Sequence, residues 1–140
     1  MKLKLLLIAI ILPLISFSQN VTGRWKTIDD VTGNEKSYVE IYEQDGKIYA
    51  KILQLLTPGD EDKVCEQCEG DNKDKPVKGM IVIDGLSKDG KEWNGGTILD
   101  PKNGKVYKCY ITLENDDKLK IRGYIGFSLL GRTQYWYRMK

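Results

Sequence analysis

The sequence predicts an all-β protein, built as an antiparallel up-and-down β-barrel of about eight strands. Apolar and polar residues alternate in short segments, as where Leu119 and Ile121 alternate with Lys120 and Arg122. This period of two is typical of strands with one face in water. Turn residues separate the segments, and we predict no helix in residues 19–140. Strands joined in order by short turns pair antiparallel, and closing them into a barrel removes the exposed edges; a β-sandwich is the main alternative.

Three strands are predicted in the first half of the chain, at residues 21–29, 36–44 and 47–56. The pair Asp45-Gly46 separates the second strand from the third. These two residue types accept the positive φ angles of a tight hairpin turn, so the two strands are expected to pair.

The connection that follows, residues 57–78, is long, acidic and rich in turn residues. Connections of this length in small domains are usually lids, binding loops or disordered segments. We therefore expect it to be an exposed loop, and it contains Cys65 and Cys68.

Five further strands are predicted at residues 79–86, 92–100, 105–114, 118–126 and 131–139. The first three connections between them carry turn residues: Asp89-Gly90, the Asp-Pro-Lys-Asn-Gly run at 100–104, and the Asn-Asp-Asp run at 115–117. The last connection is unusually apolar, because Phe127, Leu129 and Leu130 lie in it. Such a tip would need a partner, a lipid or a ligand portal, or would fold back to cap the barrel.

The first 18 residues predict a cleavable secretory signal. A short basic region at 1–4 precedes an apolar stretch at 5–15 and the small residues at 16–18. We expect cleavage after Ser18, leaving residues 19–140 as one soluble domain in the periplasm or outside the cell. A retained membrane anchor is disfavoured because the apolar run is short, and a buried N-terminal helix because both flanks fit export.

Charge argues against a nucleic-acid partner. The chain has 22 Lys and Arg against 20 Asp and Glu, and removal of Lys2 and Lys4 with the signal leaves residues 19–140 formally neutral. A neutral domain has no strong general attraction to nucleic acid or to anionic membranes. The charges are uneven, however, because acids dominate residues 57–75 while residues 118–140 carry basic residues and no acid.

The absence of histidine is the most informative feature for chemistry. Ser-His-Asp and Cys-His catalysis and histidine metal sites are excluded in their usual forms. No phosphate-binding glycine loop or dinucleotide fingerprint is present. The adjacent Asp29 and Asp30 would point to opposite faces of a strand and could not share a proton. We therefore predict no catalytic residue, no cofactor and no metal site.

Cys65 and Cys68 form a C-x-x-C pair with three interpretations. A local disulfide is favoured in an oxidising compartment. A redox-active pair would need positive charge nearby, whereas Glu66 and Glu69 lie beside it. A structural zinc site would need two further ligands. Cys109, in an alternating apolar strand, is expected to be a buried free thiol.

Two resemblances accompany these patterns. Gly23-x-Trp25 opens the first strand and Arg138 closes the last, which resembles lipocalins and their calycin relatives; this implies that Trp25 plugs the barrel base with Arg138 stacked on it. A resemblance to the bacterial exported family called domain of unknown function 2147 covers nearly all of the mature chain. It is carried by the C-x-x-C loop and by residues 23–30, 95–101, 122–126 and 130–134. It implies a calycin-like envelope or secreted protein with no agreed activity.

Our first functional hypothesis is a binding module that holds a small, partly apolar molecule. The candidate contacts are the polar and aromatic residues near the C-terminal hairpin, namely Arg122, Tyr124, Arg132, Gln134 and Trp136. The second is an envelope assembly or interaction factor that uses the acidic loop and the apolar tip at 127–130 against another protein. A redox enzyme built on Cys65 and Cys68 ranks third.

Overall fold

A computed structural model describes residues 9–13 and 20–140 of the chain. Its eight strands form a closed antiparallel barrel in chain order, which confirms the predicted fold class. The strands are β1 (Gly23–Ile28), β2 (Glu35–Gln44), β3 (Lys47–Leu55), β4 (Ile81–Asp89), β5 (Glu92–Asp100), β6 (Lys105–Asn115), β7 (Lys118–Tyr124) and β8 (Gly131–Arg138). The predicted cleavage site after Ser18 lies outside the described residues. Within them, no helix has the length and apolar character needed to cross a membrane.

One end of the barrel, here called the closed end, carries the three short connections 45–46, 90–91 and 116–117. Asp45 and Gly46 have φ values of 52° and 77°, the positive angles that the hairpin turn requires. Trp25 is fully buried at this end, and its indole N–H donates to the Val21 carbonyl at 2.9 Å. The closed end of the barrel is therefore filled by packed side chains, here called the floor.

Arg138 completes the floor. Its guanidinium lies 4.3 Å from the centre of the Trp25 ring and donates to the backbone carbonyls of Asn20, Thr22 and Asp116. A cation over an indole face is attracted by the ring electrons, and the three carbonyls hold it in place. Gly23 lies directly beneath, because a Cβ built there would be 3.2 Å from the guanidinium nitrogen.

The opposite end, here called the open end, carries the four longer connections 29–34, 56–80, 101–104 and 125–130. Because the barrel has eight strands in order, the connection 56–80 and the connection 125–130 lie on opposite sides of this end. The interior between the two ends is lined by side chains that alternate along each strand, such as Val39 and Ile41 on β2 and Ile111 on β6.

The connection 56–80 is more ordered and more buried than the sequence predicts. It contains an isolated bridge between Val64 and Pro76 and a 3-10 helix, Gly70–Asn72. Cys65 and Cys68 form a disulfide, which confirms the predicted bond, but both are buried rather than exposed. The reason is that this segment folds over the 101–104 turn, so that the Cys65 sulfur lies 3.4 Å from the Pro101 carbonyl oxygen.

Some strand bounds also differ from prediction. β4 runs from Ile81 to Asp89 instead of 79–86, because its polar end pairs with β5 from Ser87 to Asp89. β7 ends at Tyr124 instead of Gly126, where φ of 75° turns the chain into the tip. Period two finds a strand's middle, whereas its ends depend on the neighbouring strand.

Candidate functional site

The interior of the barrel contains a cavity of about 490 Å³ that lies toward the open end. Every strand contributes to its wall, and Lys63 and Val77 of the connection 56–80 add to one side. The volume falls within the range of small-molecule sites, about 300–1,000 Å³.

The deep part of the cavity is apolar. Its wall is made by inward-facing residues of neighbouring strands, including Val39, Ile52, Val82, Ile121 and Trp136. Trp25 and Trp93 are buried but do not belong to the wall, since they lie toward the closed end. Gly123 of β7 also faces the cavity, and a Cβ built there would lie 3.3 Å from Ile98.

Two polar features lie within this apolar wall. Thr27 and Ser37 are both buried and share a hydrogen bond of 2.6 Å between their hydroxyl oxygens. Gln134, half-buried on β8, makes no side-chain hydrogen bond to any residue in the described part of the chain. Both features are uncharged, and the amide of Gln134 is both a donor and an acceptor.

Trp136 lies next below Gln134 on the same face of β8 and is 3% exposed. Its indole nitrogen is buried and has no hydrogen-bond partner among residues 9–13 and 20–140. A buried donor without an acceptor destabilises a fold by about 1–3 kcal/mol. Trp136 therefore differs from Trp25, whose nitrogen is satisfied by Val21.

Charged residues appear only where the cavity reaches the open end. Arg132, at the start of β8, makes a two-pronged ion pair with Asp30, in which Nε and Nη2 each donate to one carboxylate oxygen. This pairing lowers the pKa of Asp30 and raises that of Arg132. The neighbouring Asp29 accepts from the backbone N–H groups of Thr32 and Val31, which lowers its pKa.

The remaining charges of the cavity wall are three lysines and two acids. They are Lys36, Lys63, Lys102, Asp60 and Asp100. Lys63 lies 3.9 Å from Asp60, and the Asp100 carboxylate accepts from the backbone N–H of Lys102. Together with Asp29, Asp30 and Arg132, these five residues make a set of eight, here called the charged rim.

The structure brings together four of the five predicted contact residues. Tyr124, Arg132, Gln134 and Trp136 line the cavity. Tyr124 does so at the edge only, because its ring packs on Tyr110 of the outer face with 6.3 Å between ring centres.

Arg122 is not part of the cavity wall. It alternates with Ile121 and Gly123, which face inward, so its side chain lies on the outer face. There its guanidinium donates to the carbonyls of Ser128 and Leu129 and to the hydroxyl of Thr133. Arg122 therefore holds the apolar tip rather than a site inside the barrel.

The apolar tip, residues 125–130, remains exposed and does not fold over the barrel. Phe127 is 58% exposed and Leu129 is 82% exposed. Ile125 and Leu130, also exposed, line the edge of the cavity. The apolar surface is thus continuous from the tip into the cavity.

The cysteines offer no reactive thiol in the described structure. Cys65 and Cys68 are bonded to each other, and Cys109 is buried, which raises its pKa to about 12. Across the described ranges 9–13 and 20–140, no group of three or more acidic or cysteine side chains is placed to hold a metal ion.

Sequence reasoning missed most of the cavity wall. Thr27 is two residues from Trp25 and Ser37 is two residues from Val39. Because residues two apart on a strand share a face, both could have been predicted to point inward. Lys36 and Lys63 come from the ends of distant strands and loops. Their place at the rim depends on closure of the barrel, which local patterns do not encode.

Comparisons with known proteins agree with this architecture. The model of a family described as an uncharacterized protein conserved in bacteria, DUF2147, matches residues 23–138. A solved structure from Helicobacter pylori, protein HP1028, described as belonging to the lipocalin family, superposes with a TM-score of 0.76. The two chains are 21% identical, and the match covers 88% of this chain and 85% of the other. No curated protein sequence matches the chain.

Proposed function

Because the chain belongs to the DUF2147 family of bacterial proteins and folds as a lipocalin-like barrel, we propose that it binds a small, partly apolar molecule inside that barrel. The observation that carries the proposal is the 490 Å³ cavity with an apolar deep wall and polar groups at its edge. Barrels of eight strands either fill their interior with side chains or hold one ligand.

The ligand's apolar part is proposed to lie against Val39, Ile121 and Trp136, where each buried methylene stabilises the complex by about 0.8 kcal/mol. Its polar part is proposed to reach Gln134, whose amide has no hydrogen bond within the described structure. Tyr124 and Arg132 stand at the entrance. Arg122, on the outer face, supports the entrance indirectly through its bonds to the tip.

We also propose that the protein works outside the cytoplasm. The order of basic, apolar and small residues in 1–18 supports export, and so does the Cys65–Cys68 disulfide, since such bonds persist in oxidising compartments. The proposal expects a mature chain that begins at Gln19. Intact-mass measurement of the protein from the envelope fraction tests it, and a full-length chain recovered from the cytosol would contradict it.

Tryptophan fluorescence tests ligand binding directly. The chain has three tryptophans, and only Trp136 of the described structure's tryptophans lines the cavity. A Trp25→Phe/Trp93→Phe protein should therefore show quenching or a spectral shift when the apolar dye N-phenyl-1-naphthylamine is titrated. The matched control, Trp136→Phe, retains the two tryptophans of the closed half and should respond much less. If the fluorescence of neither protein changes, the proposal is contradicted.

A second candidate is an interaction factor of the cell envelope, favoured by the exposure of Phe127 and Leu129. The apolar tip and the acidic connection 56–80 lie at the same end of the barrel, where one partner could contact both. A photo-crosslinking residue at position 129 should capture a discrete envelope protein, whereas one at the outer-wall position 137 should not. Crosslinks of equal pattern from both positions would argue against this role.

A further inference from the structure

The charges around the cavity are balanced. The four cations of the charged rim are Lys36, Lys63, Lys102 and Arg132, and its four carboxylates are Asp29, Asp30, Asp60 and Asp100. Seven of the eight line the cavity, and the eighth, Asp30, is bound to Arg132. The entrance therefore carries no net charge.

Arg132 would otherwise be the natural partner of an anionic ligand, because a guanidinium matches a carboxylate with two parallel hydrogen bonds. Asp30 already occupies that geometry, with one carboxylate oxygen on Nε and the other on Nη2. An incoming carboxylate would have to displace Asp30 or bind the remaining Nη1 hydrogens beside the negative charge of Asp30. Asp30 therefore neutralises the strongest anion-binding group at the entrance.

Below the rim the wall has no charged side chain. The polar groups there are the Thr27 and Ser37 hydroxyls, which are bonded to each other, and two groups without a partner in the described structure, the Gln134 amide and the Trp136 indole N–H. A charge placed in this region would lose its hydration without gaining an opposite charge, which is strongly unfavourable. A neutral hydroxyl, ester or amide could instead exchange hydrogen bonds with Gln134.

We infer that the ligand is an amphiphile of zero net charge, with a hydrocarbon part in the cavity and a neutral or zwitterionic polar group between Gln134 and the charged rim. This inference rests on the proposed binding function and adds the chemical class of the ligand. Both fatty-acid anions and cationic amphiphiles are disfavoured, because a rim of zero net charge offers neither of them a surplus of opposite charge to replace the lost hydration.

A matched set of single-chain amphiphiles tests this inference. Monododecanoylglycerol, dodecylphosphocholine, dodecanoate and dodecyltrimethylammonium share the same alkyl length and differ in head group. Each is titrated below its micelle concentration against Trp25→Phe/Trp93→Phe protein loaded with N-phenyl-1-naphthylamine. We expect the glycerol ester and the zwitterion to displace the dye at about tenfold lower concentration than either ion. The reason is that the charge of each ion would be poorly paired at this site.

The variant Asp30→Asn sharpens the test. It releases Arg132 without changing the size of the side chain, so the affinity for dodecanoate relative to the glycerol ester should rise about tenfold. Glu40→Gln is the matched control, because it removes an acid paired with Arg24 at 3.9 Å outside the cavity wall. It should leave the ratio unchanged. Circular dichroism checks that both variants fold.

The outcomes separate this inference from the proposed function. If the dye binds and dodecanoate is its tightest competitor in the protein with the unaltered rim, the barrel binds ligands but the charge argument is wrong. An unchanged ratio in Asp30→Asn would also overturn it. If neither the dye nor any amphiphile alters Trp136 fluorescence, the binding function itself fails, and the inference fails with it.

Discussion

The two ends of this barrel are built from the same eight strands but differ in almost every other respect. At the closed end, two-residue turns join the strands, and Trp25 and Arg138 form a packed floor. At the open end, the connections are longer and charged residues surround a cavity. The contrast places the packed side chains at one end of the fold and the proposed binding site at the other.

Exposed aliphatic residues also lie mainly at the open end. Within residues 20–140, Val31, Ile81, Val106 and Leu129 are exposed, and each lies in or next to a connection of the open end. The closed end's aliphatic side chains are instead buried, as in Leu86 and Leu119.

The largest effect is expected from truncating the floor. Trp25→Ala removes a fully buried indole, the bond to Val21 and the stacking surface of Arg138. We expect the free energy of unfolding to fall by about 3–5 kcal/mol. Leu129→Ala, at the exposed tip, should change it by less than about 0.5 kcal/mol. Urea unfolding followed by circular dichroism measures both, and similar losses would show that the two ends do not differ.

A smaller effect is expected at Gly104, in the 101–104 turn. Its φ is 72°, and a Cβ there would collide with the Gln67 carbonyl, so Gly104→Ala must push the connection 56–80 away. We expect a loss of about 2 kcal/mol, combining backbone strain with the clash. Gly90→Ala, at the closed end, has φ of 63° but no atom within 4 Å, so only the strain of about 1 kcal/mol should remain.

Hydrogen exchange distinguishes these two glycine variants beyond their stability. In Gly104→Ala, amides of residues 63–77 should exchange faster while those of the closed end stay protected. Equal exchange across the molecule in both variants would contradict the contact between the turn and the connection.

The smallest expected effect is on how the stability of the fold depends on acidic pH. The pKa of Asp30 is lowered in the folded protein by Arg132, so the pair stabilises the fold above the unfolded pKa near 3.9. This contribution is lost as the pH falls below that value toward the folded pKa. Because both side chains are partly exposed, Asp30→Asn should lower stability at neutral pH by less than about 1 kcal/mol. The difference from the unaltered protein should vanish at low pH in urea titrations.

The fold could be predicted because its signals are local. Alternation marked some of the strands, such as β7, and pairs such as Asp45-Gly46 marked the tight turns of the closed end. The open end was predicted less well. The burial of Cys65 and Cys68 depends on contact with the 101–104 turn, which is distant in sequence, so no local pattern announces it.

The candidate site divides in the same way. Arg132, Gln134 and Trp136 could be grouped because residues two apart on a strand share a face. The same rule places Arg122 outside the barrel, because its neighbours Ile121 and Gly123 point inward. The partner of Arg132 could not be predicted, since Asp30 reaches it only when the first and last strands meet.

Native mass spectrometry of protein purified from its own envelope tests the central claim most directly. The chain should carry a small molecule of uncharged or zwitterionic type that survives gentle transfer. Gly123→Leu, which fills the cavity from β7, should lose that mass, whereas Lys120→Leu, on the outer face of the same strand, should keep it. A bound mass that persists in Gly123→Leu, or its absence from the unaltered protein, would contradict binding inside the barrel.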